Sequence, residues 1–341
     1  MANKPKKTHQ AGAAPARSQP SHPAQDAKAQ EPFRGRLAIL DDFLPIELAQ
    51  AMRDDIDAHF AEPDKHAADR HQVWNYWYVP ELYTYLRTQP EKVVRRELAE
   101  EFRSRLQAFC ARNLGLSDVS WPYLSLYVPG CRQSLHNDAM NGRFGFVYSL
   151  TKNERRTIGG ETIIHHEGDP FRRQLIQPAA GRAYYDSVAP RFNRLILFDD
   201  RIPHAVESVE GSMDPTEGRF VLHGHIKEGG AIVSGALPGD VVLKEVSTAI
   251  DDTFKPTTGS TGVRHGPMSF RIDISHTGVV ESRRILLDRV VVSNPRDWEA
   301  LTNGLLERLG RLKFPAADAP THLIMPIMFG VRPLEERPKA N

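Results

Sequence analysis

Tyr127-Val-Pro-Gly-Cys-Arg-Gln-Ser-Leu-His136-Asn-Asp138 is the stretch that decides the reading of this chain. It predicts a strand, a Pro-Gly turn, and two metal-ligating side chains one residue apart. Successive side chains alternate along a β-strand, so His136 and Asp138 would leave one face together and could hold a single ion. An imidazole and a carboxylate are half of a 2-His-1-carboxylate facial triad, the donor set of non-haem Fe(II), which leaves the opposite coordination positions open. The second imidazole should come from another strand downstream. Its strongest candidate is His204, in Arg194-Leu-Ile-Leu-Phe-Asp-Asp-Arg-Ile-Pro-His204, where an apolar strand ends in a short polar turn. His165, His166, His223 and His225 compete for the position.

A chain of 341 residues with 40% hydrophobic content can bury a substantial core and is long enough for two domains. Its 44 basic and 43 acidic residues leave a net charge of +1, so no charge excess marks a nucleic-acid or membrane partner. Cys110 and Cys131 are too few for a disulfide framework or a thiolate zinc site, and as idle thiols they suit a reducing compartment. No run of about 18 apolar residues and no apolar N-terminal segment is present, which predicts a cytoplasmic protein with neither membrane span nor secretory signal.

Residues 1–32 are rich in Ala, Pro, Gln, Lys and Ser with almost no large apolar side chain, and are expected to form a disordered tail. Phe33 to Leu44 then predicts a strand running into Pro45, a favourable first-turn residue for a helix to about Phe60. A second amphipathic helix is expected over Glu91 to Asn113, with Val93, Val94, Leu98, Phe102, Leu106 and Phe109 as its apolar stripe and Gly115 as its C-cap. Between the helices, His66 to Gln89 carries His71, Trp74, Tyr76, Trp77, Tyr78, Tyr83 and Tyr85. Packing of helices on a sheet explains that density first, and the lining of a substrate entrance second.

From Trp121 to about Lys227 the pattern turns to short strands broken by Gly, Pro and Asn, which predicts a double-stranded β-helix, or jelly-roll, barrel. Strands are expected over Tyr123 to Val128, Phe144 to Leu150, Glu161 to His165, Ala183 to Tyr185, Arg194 to Phe198 and Phe220 to Ile226. On the last, Arg219, Val221, His223 and His225 share one face. Residues 239–262 read as a polar, Thr-rich linker. After it come a hairpin turning at His276-Thr-Gly278, a helix from Pro295 with Trp298, Leu301, Leu305, Leu306 and Leu309 on one stripe, and a last strand from His322 to Phe329. The expected class is therefore α+β: a jelly-roll barrel over 33–238 with N-terminal supporting helices, then a small ββαβ domain over 263–333.

Six ordered motifs resemble the Fe(II)/2-oxoglutarate dioxygenases of the prolyl-4-hydroxylase type. They are Tyr127-Val-Pro-Gly130, His136-Asn-Asp138, Val147-Tyr-Ser-Leu-Thr-Lys152, Gly159-Gly-Glu161, the apolar strand from Leu195 leading to His204, and Gly218-Arg219-Phe220. The resemblance covers roughly residues 34–228. It implies His136, Asp138 and His204 as catalytic iron ligands and Arg219 on the far carboxylate of 2-oxoglutarate, with Fe(II), 2-oxoglutarate and O2, and ascorbate as an auxiliary reductant. The implied activity is hydroxylation of a C–H bond with release of succinate and CO2. Its substrate would be a peptidyl residue, proline foremost; a free amino acid or biosynthetic small molecule is the alternative. Family members often place a tyrosine on the co-substrate from the strand Val147-Tyr-Ser-Leu150. In the expected register that position is Ser149, with Tyr148 on the other face, and Tyr127 either supplies the phenol instead or is a wedge under the Pro-Gly turn. The carboxylate at Asp138 speaks against halogenation, which uses a small residue there. Nucleic-acid repair enzymes carry a second arginine six positions after the first, where this chain has His225. The C-terminal segment resembles a TonB C-terminal-like domain, which implies docking of a protein partner or of a second copy. A non-catalytic metal- or ligand-binding sensor acting through that domain is the reading from another class.

Overall fold

The computed structural model describes residues 31–61, 73–166, 184–257 and 264–330. The expected tail through residue 30, His66 and His71 of the aromatic stretch, the end of the expected linker over 258–262, and residues 331–333 lie outside them. In chain order the elements are β1 (Leu37–Leu40), α1 (Ile46–Phe60), β2 (Asn75–Val79), β3 (Tyr83–Thr88), α2 (Arg96–Leu114), β4 (Asp118–Val119), β5 (Tyr123–Tyr127), β6 (Arg132–His136), β7 (Phe144–Ser149), β8 (Thr157–Ile158), β9 (Thr162–His165), β10 (Tyr185–Val188), β11 (Arg194–Asp199), β12 (His204–Val206), β13 (Glu210–Gly211) and β14 (Arg219–Lys227). There follow β15 (Ile232–Gly235), α3 (Gly239–Phe254), β16 (Arg264–Ile274), β17 (Val280–Asp288), β18 (Val291–Val292), α4 (Pro295–Arg311) and β19 (Thr321–Phe329).

The larger sheet is antiparallel and curled, in the order β1-β11-β7-β14-β5-β3-β6-β12-β9-β10, with β2 added to β3 and β4 to β14. Strand β3 makes the corner: Leu86 to Thr88 pair with β5, while Tyr83 and Thr84 pair with β6. Alternation then divides the side chains. One face presents Leu124, Leu126, Phe146, Tyr148, Leu195, Leu197, Phe220 and Leu222 to a core shared with the helices. Helix α1 buries Ala49, Met52 and Ile56 there, and α2 buries Ala99, Phe102, Leu106, Cys110 and Leu114, both at helical spacing. The other face, with Tyr127, Val221 and Phe198, encloses a cavity of about 620 Å³.

Gly115 ends α2 in the left-handed region at φ 66°, as expected of a C-cap. It also lies against β16, where a Cβ would come within 2.5 Å of the Ser269 Cβ. The aromatic stretch departs from the packing expectation, because residues 75–88 form the β2–β3 hairpin. Trp74 stacks on Phe60 in the core, whereas Trp77, Tyr83 and Tyr85 face the cavity and all five residues of β2 are exposed.

The second sheet runs β15-β19-β16-β17, with β18 on β16. Helices α3 and α4 cover it through Val242, Val246, Phe254, Trp298, Leu305 and Leu309. Where a linker was expected over 239–262, residues Gly239–Phe254 are helical. Buried Val242, Val246 and Ala249 recur at helical spacing, while Lys244, Ser247, Thr248, Asp251 and Asp252, which suggested a linker, form its exposed stripe. This sheet packs directly on the first core, to which Leu287 belongs, and Ser269 Oγ donates to the carbonyl of Leu114 at 2.6 Å. Arg289 reaches across to Asp199 at the end of β11, with Nε and Nη2 donating to Oδ2 at 3.0 and 2.9 Å. Among the described residues, no helix is long and apolar enough to cross a membrane.

Candidate metal centre

His136 closes β6 and His204 opens β12, and the two residues pair across the sheet. Their rings lie 4.3 Å apart between centroids. Asp138 reaches the same point by a different route from the one expected. β6 ends at His136, and a turn carries Asp138: its N–H donates to the carbonyl of Asp200 at 2.9 Å, and its own carbonyl accepts from Asn141 N–H at 2.7 Å. Asp138 Oδ2 then lies 3.4 Å from His204 Nε2 and 3.9 Å from His136 Nε2. One ligand atom from each of the three falls within 4.8 Å of the others.

Neighbouring groups leave one atom of each residue free for an ion. His136 Nδ1 bonds the carbonyl of Ser134 at 2.7 Å, and His204 Nδ1 bonds that of Ile202 at 3.0 Å. A carbonyl only accepts, so each Nδ1 carries the proton and each Nε2 presents its lone pair to the centre. Asn141 Nδ2 donates to Asp138 Oδ1 at 2.7 Å, which leaves Oδ2. Burial, followed by the field of His204, lowers the pKa of His136 and favours the neutral ring a metal needs. Burial opposes ionisation of Asp138, but the bond from a protonated His204 and the fields of His225, His204 and His136 when charged outweigh it and hold the carboxyl at about 2. A cation would take the place of the Nε2 protons. Two nitrogens and one oxygen on one wall, with the cavity opposite, fit a divalent ion of the Fe(II) type.

Arg219 is 2% exposed at the start of β14. Its Nη2 donates to Thr162 Oγ1 at 3.1 Å, while Nε and Nη1 have no partner among the described residues. Tyr127 lies beneath the guanidinium, which sits 4.6 Å from the ring centroid, and Tyr85 stacks on Tyr127 at 5.2 Å. Burial pushes the Tyr127 phenol well up, so it remains a neutral donor. Burial also lowers the pKa of Arg219. Gly160 explains why the Gly-Gly turn is needed: at φ 77° it passes so close to Arg219 that a Cβ would meet Cδ at 2.8 Å.

Tyr148 points away from the cavity and its hydroxyl donates to Asn193 Oδ1 at 2.8 Å, the orientation expected from the register. Ser149 Oγ is taken by the Thr151 N–H at 3.3 Å and does not line the cavity. Among the competing histidines, His165 and His166 lie at the end of β9, with His166 3.7 Å from Asp186. His223 lines the cavity and shares a 2.8 Å hydrogen bond with Ser125 Oγ. His225 bonds Asp200 Oδ2 through Nδ1 at 3.0 Å. Burial raises Asp200 to about 6; for His225 burial works the other way, but the bond and charge of Asp200 prevail and raise its pKa. Sequence reading missed Asn141, Thr162 and Arg87, whereas Tyr85 belongs to the aromatic stretch whose second reading is an entrance lining. Asn141, three residues after Asp138 and before Gly142, carries a turn signal that would have found it.

No protein-family model matches this chain, and no curated protein matches it. Solved structures do. A Pseudomonas putida prolyl-4-hydroxylase is similar at 17% identity over 57% of this chain and 92% of that one, with a TM-score of 0.40. A Trichoplax adhaerens prolyl hydroxylase, solved with a hypoxia inducible factor oxygen degradation domain peptide fragment, gives 14% identity, 57% and 84% coverage, and 0.41. The non-heme alpha-ketoglutarate-dependent epimerase SnoN from nogalamycin biosynthesis gives 10%, 56% and 77%, and 0.40.

Proposed function

We propose that this chain is an Fe(II)- and 2-oxoglutarate-dependent oxygenase that hydroxylates a C–H bond, releasing succinate and CO2. The observation that carries the reading is the pairing of two incomplete sites in one cavity: three donors on one wall, and the buried Arg219 with two unpartnered N–H groups on the floor. Each lacks what the other site's ligand supplies. A bound Fe(II) would provide open positions for a chelating 2-oxo acid and for O2. The protein's own part is to bind and orient. Arg219 offers a planar fork to the distal carboxylate, and an uncompensated guanidinium at that depth is costly unless such an anion arrives. Thr162 fixes the fork from one side and Tyr127 from below. Ser134, Ile202 and Asn141 hold the three donors in tautomer and direction. Val206, Val221 and Phe198 give the cavity apolar lining beside the reacting atoms.

For the substrate we carry forward a peptidyl residue, proline foremost. Support comes from β2, which pairs only with β3 among the described residues and offers an exposed edge beside the cavity to an extended chain. The C-terminal sheet and its helices are proposed to dock a protein partner or a second copy. The test of the catalytic reading is O2-dependent succinate formation from 2-oxoglutarate by iron-loaded protein. His136→Ala and Arg219→Leu should each lower it at least 100-fold, and turnover indifferent to both would refute the assignment.

A further inference from the structure

Arg87, on β3, borders the same cavity at the other end of its floor from Arg219. Its guanidinium carbon lies over two rings, 3.5 Å from the centroid of Trp77 and 4.0 Å from that of Tyr123. Such contacts flank the cation, and beside the N–H group that bonds the Tyr85 hydroxyl they leave in-plane N–H groups for a ligand, the geometry that suits a carboxylate. Yet no carboxylate forms an ion pair with it among the described residues, whereas Arg95 pairs with Asp55, Arg96 with Glu100 and Arg143 with Glu228. Glu91, an acid on this side, accepts instead from Trp121 Nε1 at 3.0 Å.

The register places the two arginines apart. Arg87 pairs with Ser125, which pairs with Val221, two residues beyond Arg219. Two strand spacings and two residues of rise separate their backbones by roughly 12 Å. A 2-oxo acid held by the metal wall and Arg219 leaves Arg87 without an anion. Asp138 is the cavity's only lining carboxylate among the described residues, and it faces the metal wall, while Lys227 and His225 add positive or protonatable groups beyond His223. A neutral substrate would leave the Arg87 end a field of uncompensated positive charge.

Resting on the oxygenase reading above, we propose that the primary substrate carries a carboxylate, seated on the edge of Arg87 between Trp77 and Tyr123. Arg87 thereby sets specificity, and the substrate's reactive C–H lies between that anchor and the metal wall. A free acid and an acidic residue within a peptide supply the same group.

Trp77 reports on the site directly, so the test is tryptophan emission of the full-length, metal-free protein. The carboxylate probes are benzoate and an end-capped peptide with one glutamate; benzamide and the matching glutamine peptide are their neutral twins. At least one acid should bind at least tenfold more tightly than its twin. Arg87→Gln should abolish that preference, and Arg87→Lys should keep it at weaker affinity, a pattern that mere disruption of the hairpin would not give. Tighter binding of benzoate assigns a free acid, and tighter binding of the peptide an acidic chain. Equal binding of acid and twin, no saturable change with either acid, or a preference untouched by Arg87→Gln would overturn the proposal. So would a set of compounds that stimulate succinate release without bearing a carboxylate. No iron enters the titration, so a failed succinate assay beside a positive titration would count against the oxygenase reading alone.

Discussion

Asn141 is the residue through which the metal centre is most easily tested without removing a ligand. It touches the carboxylate atom that faces away from the ion, and loss of such an orienting bond weakens metal affinity by about 10–100-fold. Asn141→Ala should show that loss in anaerobic Fe(II) titration calorimetry, and unchanged affinity would mean that Asp138 holds its position by the backbone alone. His223 allows a pH test away from the ligands. Enclosure in the barrel, then the cations Arg87, His225 and Arg219, push it down to about 3, against an ordinary value of 6.5. Between those values the unfolded chain binds a proton that the folded chain does not, so stability is lost as pH falls, by roughly 1 kcal/mol per pH unit. His223→Gln should flatten that slope in urea unfolding at pH 7, 5.5 and 4.5; an unchanged slope would show that the ring titrates in the fold. That His136, Asp138 and His204 converge and that Arg219 lines the same cavity was legible because their spacing and strand context are local. Asn141, Thr162 and Arg87 were not, because their roles depend on which atoms the folded chain leaves without partners.

Elements carry the geometry that single residues cannot. The Gly-Gly turn before β9 lets its backbone pass against Arg219, and Gly160→Ala adds both a Cβ overlap and a left-handed backbone cost of roughly 1–2 kcal/mol. This substitution should displace the guanidinium and weaken 2-oxoglutarate binding at least tenfold while Fe(II) affinity, measured separately, is retained. Equal loss of both would show that the turn supports the whole barrel. Five of the six expected barrel strands could be read from short segments broken by Gly, Pro and Asn, while the one expected over Ala183 to Tyr185 starts at Tyr185 and Ala183 lies outside the described residues; α1 and α2 could be read from their apolar stripes and the Gly115 cap. Helix α3 could not, because Lys, Ser, Thr and Asp on its exposed stripe outweighed Val242, Val246 and Ala249 when read as composition. The β2–β3 hairpin was missed for a related reason: an exposed edge strand rich in Tyr and Trp has no buried face to set a period. Asp138 reached its expected neighbour through a turn rather than by strand alternation, so the two side chains meet as expected but by another geometry.

The molecule as a whole ties its second sheet to the metal wall. Arg289 is pulled down to about 10 by burial and meets Asp199, which Arg201 also clasps at 2.6 Å, at the head of the turn that leads to His204. Asp199 keeps Arg201 when Arg289 is removed, so the loss is that of hydrogen bonds to a charged group, about 1.5–3 kcal/mol. Arg289→Ala should therefore lower stability by that amount in denaturant unfolding while one cooperative transition persists. Two resolved transitions would show that the sheets fold independently. Sequence patterns separated the two sheets but not this contact, which joins residues 90 positions apart. The central claim is that His136, Asp138 and His204 bind Fe(II) with adjacent positions left open for a 2-oxo acid anchored at Arg219. Its most direct test is anaerobic addition of Fe(II) and 2-oxoglutarate, followed in the visible spectrum. The account predicts a weak charge-transfer band that needs both additions and disappears in His204→Ala; no band in the wild-type protein, or one that survives that substitution, would contradict it.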